Sequence, residues 1–249
     1  QNDSTLYILS PPTGLNVGVA EGLASMEFVG LTLTGDLDFK SRGDVFELYL
    51  TRVTINSAQS DQNSRVIVRS CDQLALVMKE CYIHNTYVEF KVDTSTTFTL
   101  QQTVFTSNGV PSMPGYGIFG IFPKRNAQHM VSIFDCTFQG LGVNISNEDP
   151  SAAVALRADK DAIEVKLLVE GSQFINNSRA IDLSMKGNSE VRIQKTTFDD
   201  NHAEGSGGAL RFTATLKAGL GSLTIVERAV IEITDCIFAN NMAVKTSLY

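Results

Sequence analysis

The feature that most constrains this chain is an eight-residue unit, clearest at Ile231-Glu232-Ile233-Thr234-Asp235-Cys236-Ile237-Phe238. It reads large apolar, polar, large apolar, two polar, small, any residue, large apolar. Counted back from the last apolar residue, the offsets seven, five and two recur along the whole chain. The first column holds Met26, Leu48, Leu76, Phe98, Val131, Leu167, Val191 and Ile231, and the second Phe28, Leu50, Met78, Leu100, Ile133, Val169, Ile193 and Ile233. The third, Leu31, Val53, Cys81, Thr103, Cys136, Ser172, Thr196 and Cys236, is small or medium. The last is Leu33, Ile55, Ile83, Phe105, Phe138, Phe174, Phe198 and Phe238. Copies lie from 22 residues apart (Leu33 to Ile55) to 40 (Phe198 to Phe238). A constant unit with variable spacing is a structural repeat whose insertions leave between coils, as in a solenoid.

Within the unit, each apolar pair has period two and so lies on one face of a strand. The step of three between the pairs breaks that alternation. A bend just before the small column restores it, so that both pairs face one interior. The bend residues, Gly30, Arg52, Glu80, Gln102, Asp135, Gly171, Lys195 and Asp235, are polar or glycine and are expected to face solvent. Short strands, no helical periodicity and coils of roughly 20 to 30 residues predict an all-β, single-stranded parallel β-helix of about eight or nine coils. It is expected to be right-handed, by the usual crossover preference, and to form one domain over 1–249.

A net charge of −7 with scattered Lys and Arg argues against nucleic acid and anionic membranes as partners. No run approaches the length of a membrane-crossing helix. Cys81, Cys136 and Cys236 share one inward column with Thr or Ser coils between them. At ~4.8 Å per coil the nearest pair is too far apart for a disulfide, which predicts buried free thiols. A Cys71–Cys81 bridge stays open. No Cys or His pair has zinc-ligand spacing, and neither a metal nor a cofactor is expected.

Between units, 65–68, 87–92, 118–122, 153–156, 180–185 and 209–216 read as return strands that complete each coil. A short strand is expected at 6–9. Residues 36–44 read as a charged loop carrying Arg42-Gly43-Asp44, an integrin-type tripeptide for which an ordinary charged turn is the simpler account. Loops 109–117 and 140–151, rich in Pro, Gly and Asn, are expected to be exposed. Sequons at Asn2, Asn144 and Asn176 allow N-glycosylation. Asn241-Met242-Ala243 copies Asn201-His202-Ala203, and the next return strand would begin near Tyr249. This reads as a fragment of a longer solenoid or as an open final coil. Open coil ends are expected to stack on neighbouring domains or on other copies.

Phe-x-x-Asn recurs at Phe105/Asn108, Phe174/Asn177, Phe198/Asn201 and Phe238/Asn241, and Gly207-Gly208-Ala209-Leu210 follows one copy. The pattern, over about 98–241, resembles the Pmp-type repeats of polymorphic outer-membrane proteins, found in autotransporter adhesins. A stacked ladder is expected from Phe105, Phe138, Phe174, Phe198 and Phe238 with Asn108, Asn177, Asn201 and Asn241, the Asn amides bonding one another at a corner. The resemblance implies a passenger-type domain, in outline a pectin-lyase-like solenoid, that binds host surfaces. There is one Gly-Gly-Ala-Leu rather than many, and no translocator barrel.

Carbohydrate-active β-helices work with clustered Asp, Lys, Arg or His on one face, and no such cluster is evident. Glu80, Asp135 and Asp235 share a column interrupted by Gln102, Gly171 and Lys195, which reads as a solvated edge. Surface or corner roles are expected for His84, His129 and His202, and a Phe-anchored turn for Asp199-Asp200-Asn201. No catalytic residue is assigned. The expectation is a non-enzymatic extracellular or cell-surface adhesin or display domain that meets a surface protein or glycan. A fibre subunit assembling through coil edges is the alternative, and a carbohydrate-active enzyme the third.

Overall fold

The structure, a computed structural model, describes residues 13–19, 23–41, 45–57, 64–70, 73–93, 95–107, 117–123, 128–142, 152–158, 164–204, 207–215 and 228–244. Every described element is a β-strand, and the long sheets pair in parallel, coil on coil. The chain is a parallel β-helix.

One wall is an eight-stranded sheet made of Leu23–Val29, Val45–Thr51, Gln73–Lys79, Ser95–Gln101, Gln128–Phe134, Glu164–Glu170, Ser189–Gln194 and Ala229–Thr234. The other two walls form a single 15-stranded sheet, because Thr32–Ser41 runs through both. Its start pairs with Thr54–Asn56 and begins a wall of three-residue strands, the last of them Ile237–Ala239. Its end pairs with Ser64–Ser70 and begins the third wall. That wall continues through Thr86–Val92, Ile118–Phe122, Val154–Ala158, Ile181–Lys186 and Leu210–Thr215.

The register follows the repeat columns. On the first wall Met26, Leu48, Leu76, Phe98, Val131, Leu167, Val191 and Ile231 are successive partners. On the second, Phe105, Phe138, Phe174, Phe198 and Phe238 stack with ring centroids 5.0, 4.8, 5.2 and 4.8 Å apart and planes within 11°. Isolated aromatic pairs favour offset or edge-on geometry. Here in-register parallel strands about 4.8 Å apart repeat one rotamer from coil to coil, which imposes the stack. Burying each of the rings from Phe105 to Phe198 contributes roughly 1.5–3 kcal/mol.

All eight bend residues have positive φ, from 48° at Lys195 to 65° at Gly30. Such a backbone costs a non-glycine residue about 1–3 kcal/mol, so something must hold it. Each bend N–H from Gly30 to Lys195 donates to a carbonyl of the next coil, as in Arg52 N to Lys79 O at 2.9 Å and Glu80 N to Gln101 O at 2.9 Å. The parallel ladder thus continues through the corner. The small column is short for a related reason. Thr103, Ser172 and Thr196 hydroxyls, and the Cys81, Cys136 and Cys236 thiols, donate to the carbonyl two residues back at 2.8–3.3 Å.

A second corner follows two residues after the last column, with positive φ at Gly35, Asn85, Gly140, Asn176, Asp200 and Asn240. These residue types tolerate that conformation best.

Two expectations need correction. Residues 36–41 are not loop but strand, in which Leu37 and Phe39 are buried while Asp36 and Lys40 are exposed. The charges occupy the outer phase of a period-two alternation. His129 is neither surface nor corner: it is 2% exposed and faces the core. Cys81, Cys136 and Cys236 are free thiols, so Cys81 forms no bridge with Cys71. Burial pushes the Cys136 thiol up to about 12 and raises that of Cys81.

Candidate functional site

With the interior filled by repeat columns, chemistry must come from the corners or the outer faces. At the corner after the Phe stack, Asn177 and Asn201 are fully buried. Asn177 Nδ2 donates to Asn201 Oδ1 at 2.9 Å and to Phe138 O at 3.0 Å, and Asn201 Nδ2 to Asn241 Oδ1 at 2.8 Å and Phe174 O at 3.0 Å. Each Oδ1 also accepts a backbone N–H of the preceding coil, as Asn201 Oδ1 does from Asn177 N. The amides are satisfied on both sides, and the ladder is structural. In the Phe138 coil the corner passes to Leu141, whose N–H donates to Asn177 Oδ1. Asn108 lies outside the described residues.

The single Gly-Gly corner has a steric cause. Gly207 has φ +76°, and a Cβ on Gly208 would meet Met242 O at 2.4 Å. Beside it lies a charged group that the sequence does not advertise. Asp182, 4% exposed, takes both ends of the Arg211 guanidinium on its two carboxylate oxygens. Arg179 Nη1 stands 3.6 Å from Asp182 Oδ2, and Arg179 Nε donates to Gly207 O at 2.9 Å. Arg179 and Asp182 are three apart, and Arg211 is the register partner of Asp182 one coil on. Only the pairing register could have found this cluster. Its carboxylate is closed by arginines, which makes it a clamp on the glycine corner rather than a free acid or base.

Of the predicted site residues, Asn176 is exposed at a second-corner bend, its N–H donating to Asp199 O. Arg42, Gly43, Asp44, Asn2 and Asn144 lie outside the described residues, as do 6–9 and most of loops 109–117 and 140–151. His84 Nδ1 is 2.8 Å from Thr106 Oγ1, its ring is parallel to that of Tyr82, and Tyr82 Oη accepts from Thr106. His202 lies 3.1 Å from Asp200, both exposed. Among the described residues, no three His, Cys, Asp or Glu side chains are grouped to hold a metal.

The outer faces carry paired charges. On the first wall, charges pair within strands and across coils: Arg192 with Glu190 and Glu232, Lys166 with Glu164, and Lys195 with Glu170. The third wall pairs charges too, Lys40 with Asp38, Arg65 with Asp36 and Arg211 with Asp182. Its outer column runs Lys40, Arg69, Lys91, Ile121 and Arg157, each the register partner of the next.

Compared with known proteins, the chain matches no family model, no curated protein and no solved structure.

Proposed function

We propose that the chain is a non-enzymatic recognition body of the cell surface or extracellular space, an adhesin or surface-display domain. One observation carries this: the interior repeats while the exterior does not. At one outer register position of the first wall, successive coils carry Ser25, Glu47, Ala75, Thr97, Met130, Lys166, Glu190 and Val230. One residue along, the inner column is apolar throughout. A stack of fixed geometry with freely varied outer residues suits the display of a binding surface on a rigid scaffold. The Phe-x-x-Asn repeats, similar to those of Pmp-type passenger domains, support the same role.

A panel of immobilised glycans and intact cells, probed with the whole chain, tests it. Saturable binding with the ligand recovered unchanged is expected; release of new sugar ends from a bound polysaccharide would make the chain an enzyme and end the proposal.

A second role, as a fibre subunit, is favoured by the last described coil. There the outward Ile237 is 62% exposed, and the inward Ile231, Ile233 and Phe238 are 39–48% exposed although their columns are buried in the coils before. A further coil, from this chain or another copy, would cover them. If copies associate there, Ile237→Lys with Phe238→Lys abolishes polymers; polymers that survive the pair would remove this alternative.

A further inference from the structure

We propose that the seam between the coil of Phe105 and the coil of Phe138 is an acid switch: protonation of His129 parts these two coils while the coils on either side stay stacked. The switch is independent of whether the chain serves in recognition or in a fibre.

The first of the two coils comprises Ser95–Gln101, Val104–Thr106 and Ile118–Phe122, and the second Gln128–Phe134, Thr137–Gln139 and Val154–Ala158. Two separate features set their seam apart. At the corner after the Phe stack the amide ladder is interrupted. Asn177 Nδ2 donates to Phe138 O, Asn201 Nδ2 to Phe174 O and Asn241 Nδ2 to Phe198 O, each tying its coil to the one before. The equivalent position in the Phe138 coil is Leu141, whose N–H donates to Asn177 Oδ1 just as those of Asn177 and Asn201 donate to the next Asn. Its apolar side chain has no donor to offer Phe105 O, so this tie is missing.

At another corner of the same seam lies His129, 2% exposed. Its ring stacks on Phe122 at 3.9 Å and its Nδ1 is 3.1 Å from Thr96 Oγ1. Both partners belong to the Phe105 coil, so the ring bridges the seam. Nε2 has no hydrogen-bond partner. The same inward position holds Phe46 and Leu74 in earlier coils and Val165 in the next, a site for a neutral group.

No buried carboxylate faces the ring. Ser95–Gln101, Ile118–Phe122 and the strand of His129 itself carry no other acid or base. On Glu164–Glu170, where Val165 pairs with His129, the side chains Glu164, Lys166 and Glu170 are in the outward phase. Glu164 is held there by Gln128 Nε2 at 3.0 Å and Lys166 Nζ at 3.1 Å. Asp93, before Ser95–Gln101, is half-buried, and Arg157 of the third wall lies over the outward Phe119 ring. Burial alone lowers the pKa of His129 from 6.5 to about 4. Parting the coils admits water and returns it toward the ordinary value, so the open seam takes up the proton first. The balance shifts toward opening as pH falls from 6.5 to 4. Because each coil of a solenoid contacts only its neighbours, the effect is confined to this seam.

Two buried thiols can report on it. Cys136, 1% exposed, lies in the Phe138 coil, and Cys81, 2% exposed, two coils earlier. The intact chain is pulsed at pH 7 and at pH 4.5 with a pyridyl disulfide, which labels thiols in acid as well as at neutral pH, and the labelled peptides are mapped. The ratio of Cys136 to Cys81 labelling is expected to rise roughly tenfold or more at pH 4.5 and to fall back when the protein is returned to pH 7. In His129→Leu and His129→Phe, which install the residues found at Leu74 and Phe46, the ratio should change by less than about twofold. Hydrogen exchange of the parent, corrected for the intrinsic effect of pH, should lose protection in acid at 95–101 and 128–134 before 45–51 and 189–194, a comparison that needs no variant to fold. Equal rises at the two thiols, no rise at Cys136, an acid response that persists in either folded variant, or uniform loss of exchange protection would each overturn the switch.

Discussion

At His129 the ring lies against Phe122 with centroids 3.9 Å apart, Nδ1 is 3.1 Å from Thr96 Oγ1, and Nε2 has no hydrogen-bond partner. Burial lowers its pKa from 6.5 to about 4, since a charged ring there would be desolvated without compensation. The unfolded chain therefore takes up a proton in this window that the folded chain refuses. Stability from this group is complete above pH 6.5 and falls as pH drops toward 4, by about 3 kcal/mol at most. Chemical unfolding at pH 7 and pH 4.5 should show the parent losing more stability than His129→Phe; equal losses would mean that the ring is protonated at no cost. The bend makes a second test at this scale. At Gln102, φ is 50°, so Gln102→Val should cost about 1–2 kcal/mol, whereas Gln102→Gly should cost nothing or stabilise slightly. Thermal melts of the pair would contradict the bend if glycine were the worse of the two.

At the scale of the element, the corner ladder couples coils that sequence separates widely: Asn201 serves Phe174 on one side and Asn241 on the other. Asn201→Ala removes the donor to Phe174 O and leaves Asn177 Nδ2 with one acceptor fewer. It should cost about 2–4 kcal/mol, at roughly 1–3 kcal/mol per orphaned buried group. Hydrogen exchange should then quicken at residues 173–177 and 197–204 and stay unchanged at 45–57; uniform quickening would show that the coils do not respond locally. The strands themselves were legible because inward positions such as Val191 and Ile193 must be apolar whatever the loops do. The first inward position was not. Phe46, Leu74, Thr96, His129, Val165 and Ser189 share it, and its mixed chemistry hides it from an apolar pattern. The strand through 36–41 was obscured because its outer positions carry Asp36, Asp38 and Lys40, which resemble a charged turn unless Leu37 and Phe39 are given equal weight. Arg52, Glu80 and Lys195 carry no local preference for positive φ. Their conformation comes from the ladder on either side and could not be read from residue type.

For the whole molecule, the described coils, stacked ~4.8 Å apart, give a body whose repeated inside fixes the shape and whose outside is free to vary. The apolar inner columns were legible because burial restricts residue choice at every copy. The row from Lys40 to Arg157 and the Asp182 clamp were not, because they depend on which coils meet across loops of different length. Display and fibre building differ in one respect that can be seen directly, namely whether the apolar edge at Ile237 and Phe238 joins one molecule to the next. The decisive measurement is negative-stain electron microscopy of the intact protein from its natural source. Dispersed single particles, unchanged as concentration rises, are predicted for a recognition body. Polymers with a regular axial repeat would contradict it and make coil-edge assembly the function.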